Sequence, residues 1–238
     1  MDEKRTVGDV LFDLKRKWDN AWYHYKLAII AGVVILTFII IAISQCSSKV
    51  EGDANVAYIG PKELNSEEHA DLQRNLDEII GEDLNGDNKI HASLSHFLYM
   101  TDDQVRDERA EGRVIDMQAL VVVQTQIYLE LADTNIIIYF IDPEVYKVIK
   151  RSGSIDIFMP LEEVLGYVPE KQNDEFSLIL KDLYCWEYCA GIGSFPDNTV
   201  IAVRDRQNTD KNDEALDEKY KRNLLLFKRM VEFTGFDD

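Results

Sequence analysis

Cys185 and Cys189 are the closest pair among the chain's 3 cysteines. On a strand rising about 3.3 Å per residue they would lie about 13 Å apart, too far for a disulfide. In a turn or helical segment they could approach, and an oxidising compartment would favour a bridge. A zinc site is disfavoured because none of the 4 histidines lies near them in sequence. Two interpretations stay open, a buried pair of small apolar residues and a disulfide.

The segment 83–90, DLNGDNKI, is rich in oxygen-bearing side chains. It resembles the opening of an EF-hand or dockerin calcium loop. That resemblance implies four oxygen ligands for Ca²⁺, from the side chains of Asp83, Asn85 and Asp87 and the carbonyl of Lys89. Leu94 stands where an acidic ligand is expected, so another carboxylate, such as Glu82, would have to complete the site. The alternative is a turn rich in Asp and Asn between a helix and a strand.

No familiar enzyme motif is present in the sequence, neither a Gly-x-Ser-x-Gly elbow nor HExxH nor a glycine-rich phosphate or dinucleotide loop. On a strand, Tyr184, Trp186 and Tyr188 would share one face, which would line a carbohydrate or peptide groove or pack in the core. We therefore predict a protein without catalytic activity. An unrecognised cell-surface hydrolase is kept as an alternative.

The most apolar stretch is residues 27–44, LAIIAGVVILTFIIIAIS, which is 18 residues without a charge. As a helix it would extend about 27 Å, close to the roughly 30 Å hydrocarbon core of a bilayer. Aromatic residues at 22–25 precede it, as is typical of a membrane interface. The sequence therefore predicts a single membrane-spanning helix over 27–44. The alternatives are a cleaved signal peptide and a lipoprotein signal that ends at Cys46.

The distribution of Lys and Arg around this stretch predicts its orientation. Six basic residues precede it and two follow it closely: Lys4, Arg5, Lys15, Arg16, Lys17 and Lys26, then Lys49 and Lys62. We expect a cytoplasmic N-terminus and an outer C-terminal domain, with the lipid bilayer as a partner. The predicted organisation is an amphipathic tail over 1–26, the helix over 27–44, a linker over 45–53 and an extracytoplasmic domain over 54–238.

The outer domain alternates strand and helix patterns, which predicts an α/β fold with a mixed, partly parallel sheet. Asn65 and Glu68 form a capping-box pattern at the start of a helix. Asp142 and Pro143 are typical of another helix start. The predicted strands are 55–59, 89–100, 135–141, 176–188 and 199–204, and the predicted helices are 66–80, 114–132, 144–151, 161–165 and 215–233.

Two stretches of this domain carry a resemblance to a known family. They are ADTNIIIYFIDPEVY (132–146), followed by Gly153 and PLEEVL (160–165), and the aromatic-then-glycine region 188–196. They resemble bacterial extracellular solute-binding proteins of the two-lobed type. The resemblance implies one lobe of such a protein, since the chain is short for two. A second lobe would then come from another chain.

The charge balance excludes one class of partner. The formal net charge is −18, which disfavours a nucleic-acid-binding protein. The sequence predicts a membrane-anchored binding or interaction module, stabilised by Ca²⁺ if the 83–90 loop holds the ion. Its expected partner is another envelope protein or a small ligand. The alternative is a structural or assembly subunit of a membrane complex.

Overall fold

A computed structural model of the 238-residue chain describes residues 22–23, 25–26, 30–32, 34–39, 41, 52–132, 135–205 and 214–235. The chain divides into two units, Met1–Val50 and Glu51–Asp238. The described residues of the first unit are helical. The predicted tail helix around residues 10–18, Cys46 and most of the predicted linker lie outside the described residues.

The predicted membrane-spanning helix is corrected by the structure. Within the described residues, no helix combines the length and the apolar character needed to cross a bilayer. On this finding the predictions of a spanning helix over 27–44, a single-pass membrane protein and an outward-facing domain are wrong.

Five strands in the second unit form one mixed sheet in the order β2-β1-β3-β5-β4. They are β1 (Ala54–Gly60), β2 (Ala92–Leu98), β3 (Ile138–Ile141), β4 (Ser177–Ile179) and β5 (Val200–Val203). β1 pairs in parallel with β2 and β3, while β5 is antiparallel to β3 and β4. The carboxyl ends of β1, β2 and β3 therefore lie along one edge. The predicted α/β fold with a mixed sheet is confirmed.

Helices cover both faces of this sheet. They are α1 (Ser66–Ile80), α2 (Asp102–Ala110), α3 (Met117–Ala132), α4 (Pro143–Arg151), α5 (Leu161–Leu165), α6 (Cys185–Tyr188) and α7 (Glu214–Val231). Alternate residues of a strand point to opposite faces. Tyr58 and Phe140 accordingly pack with α1, α5 and α7, whereas Ile59 and Tyr139 pack with α3 and α4.

Local capping signals define two helices that the sequence predicted. Asn65 accepts hydrogen bonds from the backbone N–H groups of Glu67 and Glu68, and the Glu68 side chain accepts from the Asn65 N–H. The Asp142 side chain accepts hydrogen bonds from the N–H groups of Glu144 and Val145 at the start of α4, and Pro143 stands in the first turn. Both caps satisfy N–H groups that a helix start leaves unpaired. These two predictions are confirmed.

The predicted strand over 176–188 is largely wrong. The extended part is β4, and the chain then turns through a 3-10 helix, Leu180–Asp182, into the one-turn helix α6. Leu180 and Leu183 are nevertheless buried. A 3-10 turn brings residues three apart to one side, so these two leucines reach the core without the alternation of a strand.

Candidate functional site

The predicted calcium loop is a network of side chains bonded to backbone N–H groups. The Asp83 carboxylate accepts from Gly86 at 2.6 Å and from Asn88 at 2.7 Å, and Asn85 and Asp87 each accept from the N–H two residues on. Partial burial would raise the pKa of Asp83, but the backbone donors outweigh it and hold the pKa below its usual value. The arrangement is that of the Asp- and Asn-rich turn.

Asp53 holds this loop from outside it. Its buried carboxylate accepts backbone hydrogen bonds from Leu84 at 2.7 Å, Asn85 at 2.9 Å and His91 at 2.8 Å. Sequence reasoning placed Asp53 in the linker and missed this role, because its partners lie more than 30 positions away in the chain. Within the described part of the chain, no group of three or more His, Cys, Asp or Glu side chains could hold a metal ion. Calcium binding at Lys89 and its neighbours stays a prediction.

Cys185 and Cys189 are both buried, and both thiols are free. They lie at the two ends of the single turn of α6, where the N–H of Cys189 donates to the carbonyl of Cys185 at 2.9 Å. Burial, together with the neighbouring Cys189, raises the pKa of Cys185 to about 12, and burial and then Glu78 raise that of Cys189 to about 11. Nucleophilic and metal-binding cysteines act as thiolates, and burial disfavours the thiolate form of both residues.

The predicted aromatic face of Tyr184, Trp186 and Tyr188 does not form. The turn of α6 brings the rings of Tyr184 and Tyr188 to a centroid distance of 4.5 Å at the surface. Trp186 instead packs, half-buried, against the core. A groove lined by all three side chains is therefore wrong, because it depended on a strand that the chain does not make here.

An apolar hollow of the second unit lies between α3 and α4, beside the carboxyl end of β1. Its volume is about 150 Å³. It is lined by Ile59, Tyr99, Gln124, Ile127, Tyr128, Leu131, Val145, Val148, Ile149, Ser152, Ser154 and Ile157. None of these lining residues is charged. An apolar cavity of about this volume in another protein stays dry and binds benzene.

Two residues held in place by backbone contacts, Tyr99 and Val145, and the largely exposed helix α3 border this cavity. Tyr99 directly follows β2, and its N–H donates to the carbonyl of Gly60 at 2.9 Å. Val145 is fixed against the sheet because the cap at Asp142 starts α4 immediately after β3. Ile127 is the one described side chain of α3 that is nearly fully buried, at 9% exposed. Val123 and Leu131 of the same helix are only partly buried against the core, and the cavity is lined by Ile127 and Leu131.

Five polar side chains line the apolar cavity: Tyr99, Gln124, Tyr128, Ser152 and Ser154. The Ser152 hydroxyl is hydrogen-bonded to the carbonyl of Ile149 and to the Ser154 hydroxyl. The hydroxyls of Tyr99 and Tyr128 and the amide of Gln124 have no hydrogen-bond partner among the described residues. Burial, and then the nearby Tyr128 and Asp102, raise the pKa of Tyr99, so its hydroxyl keeps its proton at neutral pH. Apolar walls with a few free polar groups are typical of a small-molecule site.

A second hollow, of about 520 Å³, adjoins the cavity and shares Tyr99, Gln124 and Val148 with it. Its outer wall includes Asp103 and Arg106 in α2, whose side chains are three-quarters exposed and lie 3.1 Å apart. Asp103 and Arg106 therefore pair with each other in the outer hollow, where Asp102 is a further acidic lining residue. The inner cavity therefore presents only uncharged side chains to a ligand.

A third hollow, of about 380 Å³, lies beside β4 and contains the most connected carboxylate of this region. Asp174 accepts hydrogen bonds from Tyr146 at 2.9 Å, Lys150 at 2.9 Å and Ser177 at 2.8 Å. Burial opposes ionisation of Asp174, but these donors outweigh it and lower its pKa. The carboxylate is thus fully engaged in joining α4 to β4, which is a structural role.

Comparison with protein-family models, with curated proteins and with solved structures finds no match to this chain. The resemblance to a solute-binding-protein lobe therefore stays a prediction. Sequence reasoning did not identify Tyr99, Gln124 and Tyr128 as site residues. The one signal available was the composition of α3, in which apolar residues occur on every side of the helix. Part of this apolar surface therefore has no core to pack against.

Proposed function

We propose that this protein is a binding module without catalytic activity that takes up a small, uncharged, largely apolar molecule in the cavity between α3 and α4. The observation that carries the proposal is the neutral lining of that cavity together with its three unpaired polar groups. A charged ligand would have to leave water without an ion-pair partner, which is strongly unfavourable. A neutral ligand loses little on entry and gains hydrogen bonds from Tyr99 or Gln124.

The size of the cavity restricts the ligand further. About 150 Å³ suits a single ring or a branched alkyl group. The outer hollow can accept a short polar extension, because it begins at the same Tyr99, Gln124 and Val148. The preferred ligand is therefore a ring-sized molecule with a hydroxyl or N–H group at one end.

The experiment uses p-cresol and indole as neutral probes and 4-hydroxybenzoate as the charged counterpart. We expect the full chain to bind the neutral probes with a Kd of about 0.1–1 mM, about −4 to −5.5 kcal/mol, and to bind the anion at least tenfold more weakly. Isothermal titration calorimetry and chemical shifts of α3 and α4 amides measure both.

Val148→Phe fills the junction of the two hollows and should abolish binding. Val168→Phe, which introduces the same ring at another exposed valine, should leave binding unchanged. No binding of either neutral probe at 5 mM, or equal binding by the Val148→Phe variant, would overturn the proposal.

A further inference from the structure

The strand β2 lies at one end of the sheet, and among the described strands it pairs with β1 alone. Along a strand, the N–H and C=O groups of successive residues point alternately to its two sides. The carbonyl of His91 accepts from the N–H of Asp53, and the N–H of Tyr99 donates to Gly60, so the odd-numbered residues of this stretch bond toward β1. The N–H and C=O groups of the even-numbered residues from 92 to 98 therefore point away from the sheet.

Side chains of α1 close only the upstream end of this outward edge. The N–H of Ala92 donates to the Asp77 carboxylate at 2.7 Å, and the carbonyl of Ala92 accepts from the Gln73 amide at 2.6 Å. Beyond Ala92, the outward N–H and C=O groups of three residues have no hydrogen-bond partner among the described residues. These three are Leu94, His96 and Leu98. Backbone groups in folded proteins are nearly always paired unless water reaches them, so this edge can accept a partner.

The opposite edge of the same sheet shows how an edge is closed. β4 has three residues, and the chain before it occupies the outward groups of Ser177. The Ser177 carbonyl accepts from the N–H of Asn173 at 2.9 Å, and the Ser177 N–H donates to the carbonyl of Asp174 at 3.4 Å. β2 has seven residues, all in register with β1, and contains no Pro, Lys, Arg, Asp or Glu. Short length, proline and charge are the features that normally prevent a further strand from adding to an edge, and β2 has none of them.

Two unpaired carboxylates lie beside the open edge. Burial lowers the pKa of His96, and Glu63 is close enough to oppose that shift. Asp102 follows the end of β2 and is close enough to Tyr99 to raise its pKa, after burial and Tyr128. Glu63 and Asp102 are both exposed, and neither forms an ion pair among the described residues. The nearby basic side chains are already paired, Lys62 with Glu68 and Arg106 with Asp103. The edge therefore favours a partner that brings positive charge.

We propose that the outer edge of β2, formed by Leu94, His96 and Leu98, binds an extended basic segment of another protein as a sixth strand of the sheet. The backbone of that segment supplies the missing hydrogen bonds, as in other cases of strand addition to an exposed edge. Its basic side chains reach Glu63 and Asp102. Successive side chains of a strand alternate between two faces, so a segment in which basic and apolar residues alternate fits best.

This occupant is favoured over a second copy of the chain. With a formal net charge of −18, a second copy would bring further negative charge toward Glu63 and Asp102. The proposal is also independent of small-molecule binding, because none of Leu94, His96 and Leu98 lines the cavity between α3 and α4 or the outer hollow.

The experiment titrates the full chain with the acetylated and amidated peptide GRVRTRVG and with its acidic counterpart GEVETEVG. Isothermal titration calorimetry should give a Kd of about 10–200 µM for the basic peptide and at least tenfold weaker binding of the acidic one. The amides of Leu94, His96 and Leu98 should exchange hydrogen rapidly in the free chain and more slowly in the complex.

Two N-methylated forms of the basic peptide separate strand pairing from simple charge attraction and leave the protein unchanged. One form is methylated at the backbone nitrogens of the three arginines, the other at those of the two valines and the threonine. Because N–H groups alternate between the two edges of a strand, only one of these sets faces β2. One methylated form should lose binding at least tenfold, and the other should bind within threefold of the parent peptide.

Matched variants of the protein locate the binding edge. Leu98→Pro removes an outward N–H that β1 does not use and should weaken binding at least tenfold, whereas Leu98→Ala keeps this N–H and should weaken it less than threefold. Glu63→Lys should weaken binding at least threefold. Glu175→Lys is its control, because Glu175 is exposed beside β4 at the opposite edge. Circular dichroism checks that each variant is folded.

Four results would each overturn the proposal. They are no binding of the basic peptide at 1 mM, an equal effect of the two methylated peptides, equal binding by the folded Pro and Ala variants of Leu98, and slow exchange of the three edge amides already in the free chain. The last result would show that the edge is covered without a partner.

Discussion

Replacement of Asp53 by Ala removes one carboxylate that anchors the 83–91 loop to the start of β1. The side chain is fully buried and accepts three backbone hydrogen bonds at 2.7–2.9 Å. Hydrogen bonds to a charged acceptor contribute about 1.5–3 kcal/mol each. Because the freed N–H groups are in a partly exposed loop and regain some water, we expect a total loss of about 3–5 kcal/mol.

That loss is a large share of a typical unfolding free energy of about 5–15 kcal/mol. In urea, with a slope of about 2–3 kcal/mol/M, it corresponds to a midpoint lower by about 1–2 M. Amide hydrogen exchange should also accelerate at Leu84, Asn85 and His91. Asp87→Ala is the control, because Asp87 is exposed in the same loop and accepts one backbone hydrogen bond. A midpoint shift below about 0.3 M, or one no larger than that of Asp87→Ala, would refute the anchoring role of Asp53.

Three further outcomes follow from the structure. Thr199→Val should raise the free energy of unfolding by about 1 kcal/mol, because the Thr199 hydroxyl is buried without a hydrogen-bond partner in the described chain; a lower urea midpoint would contradict this. Gly191→Ala should lower the free energy of unfolding by about 3 kcal/mol or more, since a Cβ at Gly191 would lie 2.1 Å from the backbone nitrogen of Leu72. An unchanged urea midpoint would contradict this and show that α1 can shift away from residue 191. Asp174 has a lowered pKa in the folded chain, so its hydrogen bonds stabilise the fold above about pH 4, the pKa of an unfolded Asp, and this stabilisation is lost as the pH falls further. Asp174→Asn should therefore flatten the acid limb of a plot of urea midpoint against pH, and an unchanged limb would assign the acid sensitivity to other groups.

Much of the second unit is predictable because the signals that define it are local. The capping box at Asn65 lies within four residues of sequence, and the unbroken apolar run at the centre of β3 indicates a strand covered on both faces. The structure of 176–188 is not predictable in the same way, because Leu180 and Leu183 reach the core through a 3-10 turn and not through the two-residue alternation of a strand.

The site depends on distances that no local pattern contains. Tyr99, Gln124 and Tyr128 meet at one cavity because β2 and α3 happen to approach there, and Asp53 reaches a loop some 30 residues ahead. Apolar content alone predicted a spanning helix over residues 27–44, whereas no helix among the described residues is both long and apolar enough to cross a bilayer. The sequence shows which side chains are apolar. Tertiary packing determines where a cavity remains between them.

The position of β5 imposes an order on how the sheet is completed. β5 lies between β3 and β4, and among the described strands β4 pairs with β5 alone. During synthesis, β4 emerges from the ribosome some 20 residues before β5, its partner strand. Until β5 emerges, β4 has no strand with which to form backbone hydrogen bonds. A stop codon between positions 180 and 200 would thus leave β3 with an unpaired edge and β4 without its partner strand, and such an edge is a template for association with other chains.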